Sequence, residues 1–185
     1  MDCEELNDEH LLTRLLAGCE ESFTTLYRRH QGRIFRFALE MSGSETIAEE
    51  VVQEVFLGLL NGDVRHDPGR GRLSALLLGV ARNQALRLMR KYRRYAADPA
   101  EGEHPTGDPD VLSGLTHKET LELVRQAVLS LPSSYREVVA MCDLEEMEYA
   151  EAAEALGCPL GTVRSRLHRA RAMLSEKLQP SRSLA

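Results

Sequence analysis

The chain has 185 residues, of which 43% are hydrophobic, and its 29 acidic residues outnumber 23 lysines and arginines to give a net charge of −6. This length suits one large domain or two small ones, each with its own core. No uninterrupted apolar run reaches the roughly eighteen residues of a membrane span, and the acidic N-terminus lacks a basic secretory leader, so we expect a cytoplasmic protein without membrane insertion.

Three amphipathic helices are predicted in the N-terminal part. Asp8 is the expected N-cap of the first helix, which ends near Gly18 and buries one leucine face: Leu11, Leu12, Leu15 and Leu16. The second helix extends to about Met41, and four arginines on it are expected to be solvated: Arg28, Arg29, Arg33 and Arg36. Ser44 then caps a third helix from Glu45 to Leu60, which the pair Asn61-Gly62 terminates.

The third helix has an acidic outward face made of Glu49, Glu50, Gln53 and Glu54. Taken by itself, this pattern is typical of a core helix with a solvated side. The following loop, residues 62–72, is rich in glycine and arginine but lacks the lysine-serine ending of a nucleotide-binding loop. A nucleotide site is therefore not favoured there.

A fourth, long helix begins at Leu73. Its apolar side is predicted to contain Leu77, Ala81, Ala85, Leu88 and Tyr92. Asn83, Arg87, Arg90 and Arg94 follow each other at helical spacing on the other side, with Lys91 at its edge. Residues 68–97 contain eight lysines and arginines and no acid, which favours a nucleic-acid surface over an ordinary charged helix end.

A proline-rich acidic segment divides the chain. Residues 96–110 contain three prolines, two glycines and five acids, and neither lysine nor arginine, so this segment is expected to be a flexible linker between two helical domains. After it, the spacings of Thr116 with Glu119 and of Ser134 with Glu137 predict capping boxes that start two helices. The first of these helices extends to Leu131 and is broken by Pro132.

The last elements predict a helix-turn-helix. A short helix from Tyr149 to Leu156 is followed by Gly157-Cys158-Pro159 and by a second helix over residues 159–174. Ala153 allows close helix approach and Val163 points inward, as such a motif requires. The second helix has an apolar stripe of Leu160, Val163, Leu167, Ala170 and Leu174. Its opposite side carries four arginines with serine and histidine and no acid, which favours a DNA major groove over a merely solvated basic face.

The cysteines, Cys3, Cys19, Cys142 and Cys158, form no C-x-x-C pair, and the chain has no H-E-x-x-H motif. Reduced, packed thiols are expected, rather than disulfides or a zinc site. No nucleophile, base and orienting group can be assembled from the sequence, so we predict no catalytic residue, no metal and no cofactor.

Four stretches in this order resemble the extracytoplasmic-function (ECF) sigma factors of bacterial RNA polymerase. They are AEEVVQEVF (48–56), ARNQALRLMRK (81–91), LPSSYREVV (131–139) and GTVRSRLHRAR (161–171). The resemblance implies an all-α fold of two small helical domains joined by a flexible acidic linker, the second domain containing the helix-turn-helix. It assigns residues 1–95 to sigma region 2, residues 96–115 to the linker, and residues 116–180 to sigma region 4.

The resemblance also implies roles and partners. Core RNA polymerase would be bound through its clamp helices and its flap, with the clamp contacts made by Glu50, Gln53, Glu54 and Leu57. A flipped base of the promoter −10 element would be bound by residues of the loop and the long helix: Arg65, His66, Arg70, Arg72, Asn83, Arg87, Arg90 and Lys91. The −35 element would be read by Thr162, Arg164, Ser165, His168 and Arg169, with Arg166 and Arg171 at phosphates. The resemblance also implies an anti-sigma factor as a further partner.

The chain departs from the family pattern at one position, and two alternative functions stay open. The family often has a tryptophan before A-R-N, where this chain has Leu76, which either fills the core or forms a weaker wedge for strand opening. The first alternative function is a conventional helix-turn-helix regulator, which would bind duplex DNA without polymerase core. The second is an enzyme that uses Cys158 or the glycine-arginine loop, for which no catalytic motif is present.

Overall fold

The computed structural model describes residues 3–97 and 117–178, and within these ranges the regular structure is helical. The helices are α1 (Asp8–Leu16), α2 (Glu20–Ser42), α3 (Glu45–Leu60), α4 (Leu73–Ala97), α5 (His117–Leu129), α6 (Ser133–Val139), α7 (Tyr149–Leu156) and α8 (Leu160–Leu178). Short 3-10 turns cover Cys3–Glu5 and Pro68–Arg70, and a π-helical turn, Ala140–Leu144, continues α6. Nearly all of the predicted linker and the predicted cap Thr116 lie outside the described residues.

In the first half, α2 is the central helix and packs against α1, α3 and α4. The α1 N-cap is Asn7, whose side chain accepts the His10 N–H at 2.9 Å, so the predicted cap at Asp8 is wrong by one residue. Leu11, Leu12 and Leu15 are buried as predicted, whereas Leu16, the last residue of the helix and at the edge of this face, is 60% exposed.

The predicted break between α2 and α3 is confirmed. Gly43 ends α2 in the left-handed conformation, with φ at 70°, and the Ser44 hydroxyl accepts the Ile47 N–H at 3.4 Å. At the other end of α3, Asn61 is the C-cap and Gly62 again has a positive φ, so the helix limits are those that the sequence predicts. The α4 start at Leu73 is also confirmed.

The second half differs from the prediction at its capping box. Pro132 precedes α6 and no side chain caps it, because Ser134 already lies inside the first turn. The Glu137 carboxylate, expected to reach back to the helix start, is buried and pairs with arginines instead. The prediction of a Ser134 capping box is therefore wrong, and α5 ends at Leu129 rather than Leu131.

The helix-turn-helix is confirmed, with α7 as its first helix and α8 as its second. Gly157 adopts φ 62° and ψ 36°, the left-handed conformation that a C-terminal glycine permits, and α8 begins one residue later than predicted. Val163, Leu167 and Ala170 are fully or almost fully buried. None of the helices within residues 3–97 and 117–178 has the length and hydropathy of a membrane span.

The two halves pack against each other, α4 against α7, and α2 against α5, α6 and the π-helical turn. Two glycines on the first half permit close approach. A Cβ on Gly79 would lie 3.4 Å from the Ala155 Cα, and one on Gly43 would lie 3.1 Å from a Leu129 methyl group. A bulkier residue at either position would force the halves apart or displace the opposite side chain.

Candidate nucleic-acid and polymerase interfaces

The α4 face predicted to bind DNA is accessible. Asn83, Arg87 and Arg90 are exposed, while Ala81, Ala85 and Leu88 on the other side are buried in the first half's core. Tyr92, predicted to be on the apolar side, is 39% exposed, and its hydroxyl donates to a Glu50 carboxylate oxygen at 3.1 Å. This hydrogen bond raises the pKa of Tyr92 above its usual value.

The predicted polymerase surface on α3 borders this α4 face. Arg87 Nη2 lies 2.9 Å from Glu54 Oε2, and Lys91 Nζ lies 3.7 Å from Glu50 Oε1. Gln53 is exposed, and Leu57 is 52% exposed. The acidic face is therefore partly paired with the basic helix beside it, while Leu57 and its neighbour Leu60, 47% exposed, remain as an apolar edge.

The loop before α4 forms one wall of a cavity of about 300 Å³. Arg65, His66, Leu76 and Asn83 line this cavity from the first half. The Asp67 side chain accepts the Gly69 N–H at 3.0 Å and starts the 3-10 turn that contains Arg70. His66 Nε2 is buried without a hydrogen-bond partner, and His66 is one of the residues that line the cavity.

Leu76 fills the core in part, and its role as a wedge for strand opening stays a prediction. Its side chain is half-buried and packs against the core, and it also lines the cavity. The residues that line this cavity include no phenylalanine, tyrosine or tryptophan.

The opposite wall of the cavity comes from the second half of the chain. Glu151, Glu154 and Ala155 of α7 complete the lining, and Arg72 Nε lies 3.4 Å from Glu151 Oε1. The predicted −10 residues of the loop thus face carboxylates of the helix-turn-helix across this cavity.

The α8 face predicted to read DNA is also accessible. Arg164, Ser165, His168 and Arg169 are exposed on the side opposite to the buried stripe. Thr162 is half-buried, and its carbonyl accepts the Ser165 hydroxyl at 3.1 Å. At the start of the stripe, Leu160 is 37% exposed.

The two arginines expected at phosphates have intramolecular partners. Arg166 Nη1 lies 3.3 Å from Glu137 Oε1. Arg171 donates to both Asp143 carboxylate oxygens, at 2.6 and 3.1 Å, and this pairing raises its pKa. Both side chains nevertheless stay partly accessible, 32% for Arg166 and 54% for Arg171.

Arginine–glutamate contacts between the halves were not predicted from the sequence. Arg33 and Arg36, expected to be solvated, both pair with Glu145 at 3.2 Å. Arg82 Nε lies 2.7 Å from Glu137 Oε2. The one available signal was an acid, Glu137, within an apolar helical run, since a buried carboxylate requires cationic partners.

Two further arginines are structural. Arg29, also expected to be solvated, donates to Asp8 and to the carbonyls of Glu4 and Leu6. Arg136 donates to the Met41 carbonyl at 2.6 Å and to the carbonyls of Leu129 and Leu131, and burial lowers its pKa. Arg28 is exposed as predicted.

Comparison with known protein families identifies the family to which this fold belongs. Residues 26–95 match the family model of sigma-70 region 2, and residues 121–174 match that of sigma-70 region 4. The ECF RNA polymerase sigma factor SigM of Mycobacterium tuberculosis is 30% identical over 176 residues, which cover 94% of this chain and 86% of that protein. The chain belongs to the ECF sigma factors.

Other relatives agree with this membership. The ECF RNA polymerase sigma factor SigE of Mycolicibacterium smegmatis is 33% identical over 161 residues, 85% of this sigma factor, but the match spans only 62% of the length of SigE. Among solved structures, CnrH in complex with the cytosolic domain of CnrY has a TM-score of 0.70 and 26% identity, covering 92% of this chain and 96% of that one. RpoE from Bartonella quintana, in complex with the anti-sigma factor NepR, has a TM-score of 0.65 and 27% identity, covering 82% and 93%.

Proposed function

We propose that this sigma factor directs promoter recognition and transcription initiation in the cytoplasm by binding core RNA polymerase and two promoter elements. The observation that carries the proposal is the pair of exposed cationic helix faces, on α4 and on α8, in segments that match sigma regions 2 and 4. Region 2 would comprise residues 1–95, the linker residues 96–115, and region 4 residues 116–180. The protein would be a specificity subunit without catalytic activity, with polymerization performed by its partner.

At the −10 element, an unstacked base requires a polar pocket with cationic support for the DNA backbone. The side of the cavity that the loop and α4 form, with His66 and Asn83, would supply the pocket. Arg87, Arg90 and Lys91 supply positive charge along the same helix, and Arg65, Arg70 and Arg72 supply it from the loop.

At the −35 element, α8 would enter the major groove with Arg164, Ser165, His168 and Arg169 toward the base edges. Thr162, in the first turn of α8, would join this row, and Arg166 and Arg171 lie beside it, where phosphate contacts are expected. Glu50, Gln53, Glu54 and Leu57 would contact the polymerase clamp helices, and region 4 would contact the flap. An anti-sigma factor is a further proposed partner, in line with the complexes of CnrH and RpoE.

Transcription in vitro tests the proposal against the alternative of a conventional regulator. Core polymerase with this chain should initiate at promoters that core alone does not use, while the chain alone should bind duplex DNA weakly. Tight binding of a palindromic duplex without polymerase, together with no promoter-directed transcript, would instead identify a conventional regulator.

A further inference from the structure

Two of the cysteines lie together in the first half of the chain. Cys3 is in the 3-10 turn Cys3–Glu5, and Cys19 is the residue that directly precedes α2. Both thiols are free, and their sulfurs, together with a Glu21 carboxylate oxygen, lie within 4.8 Å of one another. The fold therefore creates a pair of neighbouring thiols that the spacing of the cysteines in the sequence does not indicate.

Contacts with α2 hold the turn that carries Cys3. Arg29 of α2 donates to the carbonyls of Glu4 and Leu6, at 2.7 and 2.8 Å. The Cys3 side chain is 1% exposed, and its sulfur lies 3.6 Å from the hydroxyl of Ser22, in the first turn of α2. The Cys3 sulfur is thus held against the start of the helix that Cys19 precedes.

The surroundings of Cys19 favour its thiolate form. Arg14 Nη2 lies 3.6 Å from the Cys19 sulfur, and the Cys19 N–H donates to the Arg14 carbonyl at 2.9 Å, which fixes the two residues relative to each other. Cys19 also lies at the N-terminus of α2, where the helix dipole favours negative charge. Hydrogen bonds from the hydroxyl and the backbone N–H of Ser22, and then the Arg14 charge, lower the pKa of the Cys19 thiol. The thiolate is the nucleophilic form of cysteine, so these contacts make Cys19 more reactive.

The two thiols differ in their access to solvent. Cys19 is half-buried, so a small reagent reaches its sulfur, whereas Cys3 is buried. An accessible thiolate beside a second, protected thiol is the arrangement in which one cysteine is oxidised and the other resolves the product into a disulfide.

A bound metal ion is the alternative use of this cluster. Zinc in structural sites is held by four ligands, and here the residues that the structure describes supply two thiols and one carboxylate. The Arg14 guanidinium beside the Cys19 sulfur is already a cation at this place, and it opposes the binding of a second one. The contacts therefore favour thiol chemistry over metal binding.

We infer that Cys3 and Cys19 form a dithiol site that hydroperoxides oxidise to a disulfide. The Cys19 thiolate attacks the terminal peroxide oxygen, the O–O bond breaks, and the leaving alkoxide or hydroxide takes up a proton from water, which gives a sulfenic acid. The Cys3 sulfur then displaces that hydroxyl, and the Cys3 proton leaves with it, so that a disulfide and water form. This inference does not depend on the proposed function, because it concerns the reactivity of the free chain.

The bond would require a small local movement. The two sulfurs have to approach from their present separation to about 2.05 Å, which rotation of the side chains and a shift of the short turn at Cys3 can provide. It would then close a covalent loop around α1, between the turn Cys3–Glu5 and the start of α2.

Peptide mapping of the wild-type chain tests this site. Trypsin cleaves after Arg14, so that Cys3 and Cys19 fall on separate peptides, residues 1–14 and 15–28. After treatment with a small excess of hydrogen peroxide, we expect these two peptides to be linked, with the loss of two hydrogens, and dithiothreitol to release them. Cys142 is the internal control, because burial raises the pKa of its thiol to about 11, and it should stay reduced.

Single substitutions separate the roles of the two thiols. Cys3→Ser should accumulate a sulfenic acid at Cys19, which dimedone traps, whereas Cys19→Ser should leave the buried Cys3 unmodified. Circular dichroism checks that both variants keep their helices, and the mapping of the wild-type chain decides the inference even where a variant unfolds. Oxidation of Cys3 in Cys19→Ser as fast as in wild type would overturn it.

The effect of the guanidinium is measured by alkylation. Arg14→Gln should slow the reaction of Cys19 with iodoacetamide at pH 7 by about threefold or more, because the thiolate loses its cationic neighbour. The matched change Arg28→Gln, at an exposed position of α2, should leave the rate unchanged. Equal rates in Arg14→Gln and wild type would contradict the inference.

Three further results would overturn the proposed dithiol site. They are zinc binding by the reduced protein that depends on both cysteines, oxidation of Cys142 ahead of Cys19, and disulfide-linked dimers in place of the bond within one chain.

Discussion

The Arg171 guanidinium meets the Asp143 carboxylate in a two-point ion pair, with N–O distances of 2.6 and 3.1 Å. This pair connects α8 to the π-helical turn and so fixes the rotation of the proposed recognition helix about its axis. A double-mutant cycle of Arg171→Ala and Asp143→Ala should give a coupling of about 0.5–1 kcal/mol in urea unfolding, because the arginine is half-exposed. Additive effects of the two changes would show that the pair does not hold the helix.

A second prediction concerns Gly157, the glycine in the turn of the helix-turn-helix. Gly157 has φ 62°, so Gly157→Ala should destabilise the protein by about 1 kcal/mol through backbone strain. Gly161 lies inside α8 with open space around its Cβ position, and Gly161→Ala should stabilise by about 0.5–1 kcal/mol. Thermal unfolding of both variants measures the contrast, and equal effects would contradict the assigned turn conformation.

Neighbouring residues of α8 should separate stability from recognition. Leu167 is 2% exposed, and Leu167→Ala should cost about 2–5 kcal/mol of unfolding free energy. His168 is exposed, so His168→Ala should leave stability within about 0.5 kcal/mol while reducing promoter use by the holoenzyme. Loss of stability in His168→Ala would mean that the exposed face is wrongly assigned.

The free energy of unfolding should depend on pH in opposite ways through two carboxyl groups, Asp8 and Glu40. Hydrogen bonding from His30 and then Arg29 holds the pKa of Asp8 below 3.8, so its contribution to stability is present near neutrality and is lost as pH falls through that lowered pKa. Burial raises the pKa of Glu40 above 4.5, so this group favours the folded state at low pH and opposes it above the raised pKa. In urea unfolding at pH 7, Asp8→Asn should therefore be less stable than wild type and Glu40→Gln more stable.

Both differences should shrink at pH 3, where Glu40 is protonated in both states and Asp8 of the unfolded chain, with its ordinary pKa of 3.8, is largely protonated. Differences that stay constant with pH would show that neither group is perturbed by folding.

Two arginines of α8, Arg169 and Arg166, are expected to make different kinds of contact with DNA. Arg169→Ala should cost about 1–3 kcal/mol at the preferred promoter and relax discrimination at one base position. Arg166→Ala should weaken all sequences alike and flatten the salt dependence, while also removing one partner of Glu137. Binding of holoenzyme to promoter variants across a salt series distinguishes the two, and identical behaviour would mean that the helix is wrongly oriented.

Local sequence signals predicted the helices correctly, but they gave no indication of the long-range ion pairs. Gly43, Gly62 and Gly157 each supply a positive φ that a helix end requires, so these boundaries could be read from the sequence. Arg33 and Arg36 look like solvated charges on an amphipathic helix, because their partner Glu145 lies more than a hundred positions away. The Ser134 capping box failed because α6 begins at Ser133, so that Ser134 is already helical, and because the Glu137 carboxylate is engaged by Arg82, which only the folded arrangement brings near.

At the candidate site, too, features of one helix could be predicted from the sequence and features that join distant segments could not. Residues on regular faces, such as Asn83 and Arg169, could be predicted to be exposed from helical periodicity. The cavity that Asn83 shares with Glu154 could not, because its two walls belong to the two halves of the chain.

Selection of promoter sequences by the reconstituted holoenzyme tests the central claim, that α4 and α8 read separate elements. Wild type, Asn83→Ala and Arg169→Ala should be compared on a library randomised across both elements. We expect Asn83→Ala to lose preference within the −10 element alone, and Arg169→Ala to lose it at one position of the −35 element alone. Unchanged preferences, or loss at the same element in both variants, would contradict the account.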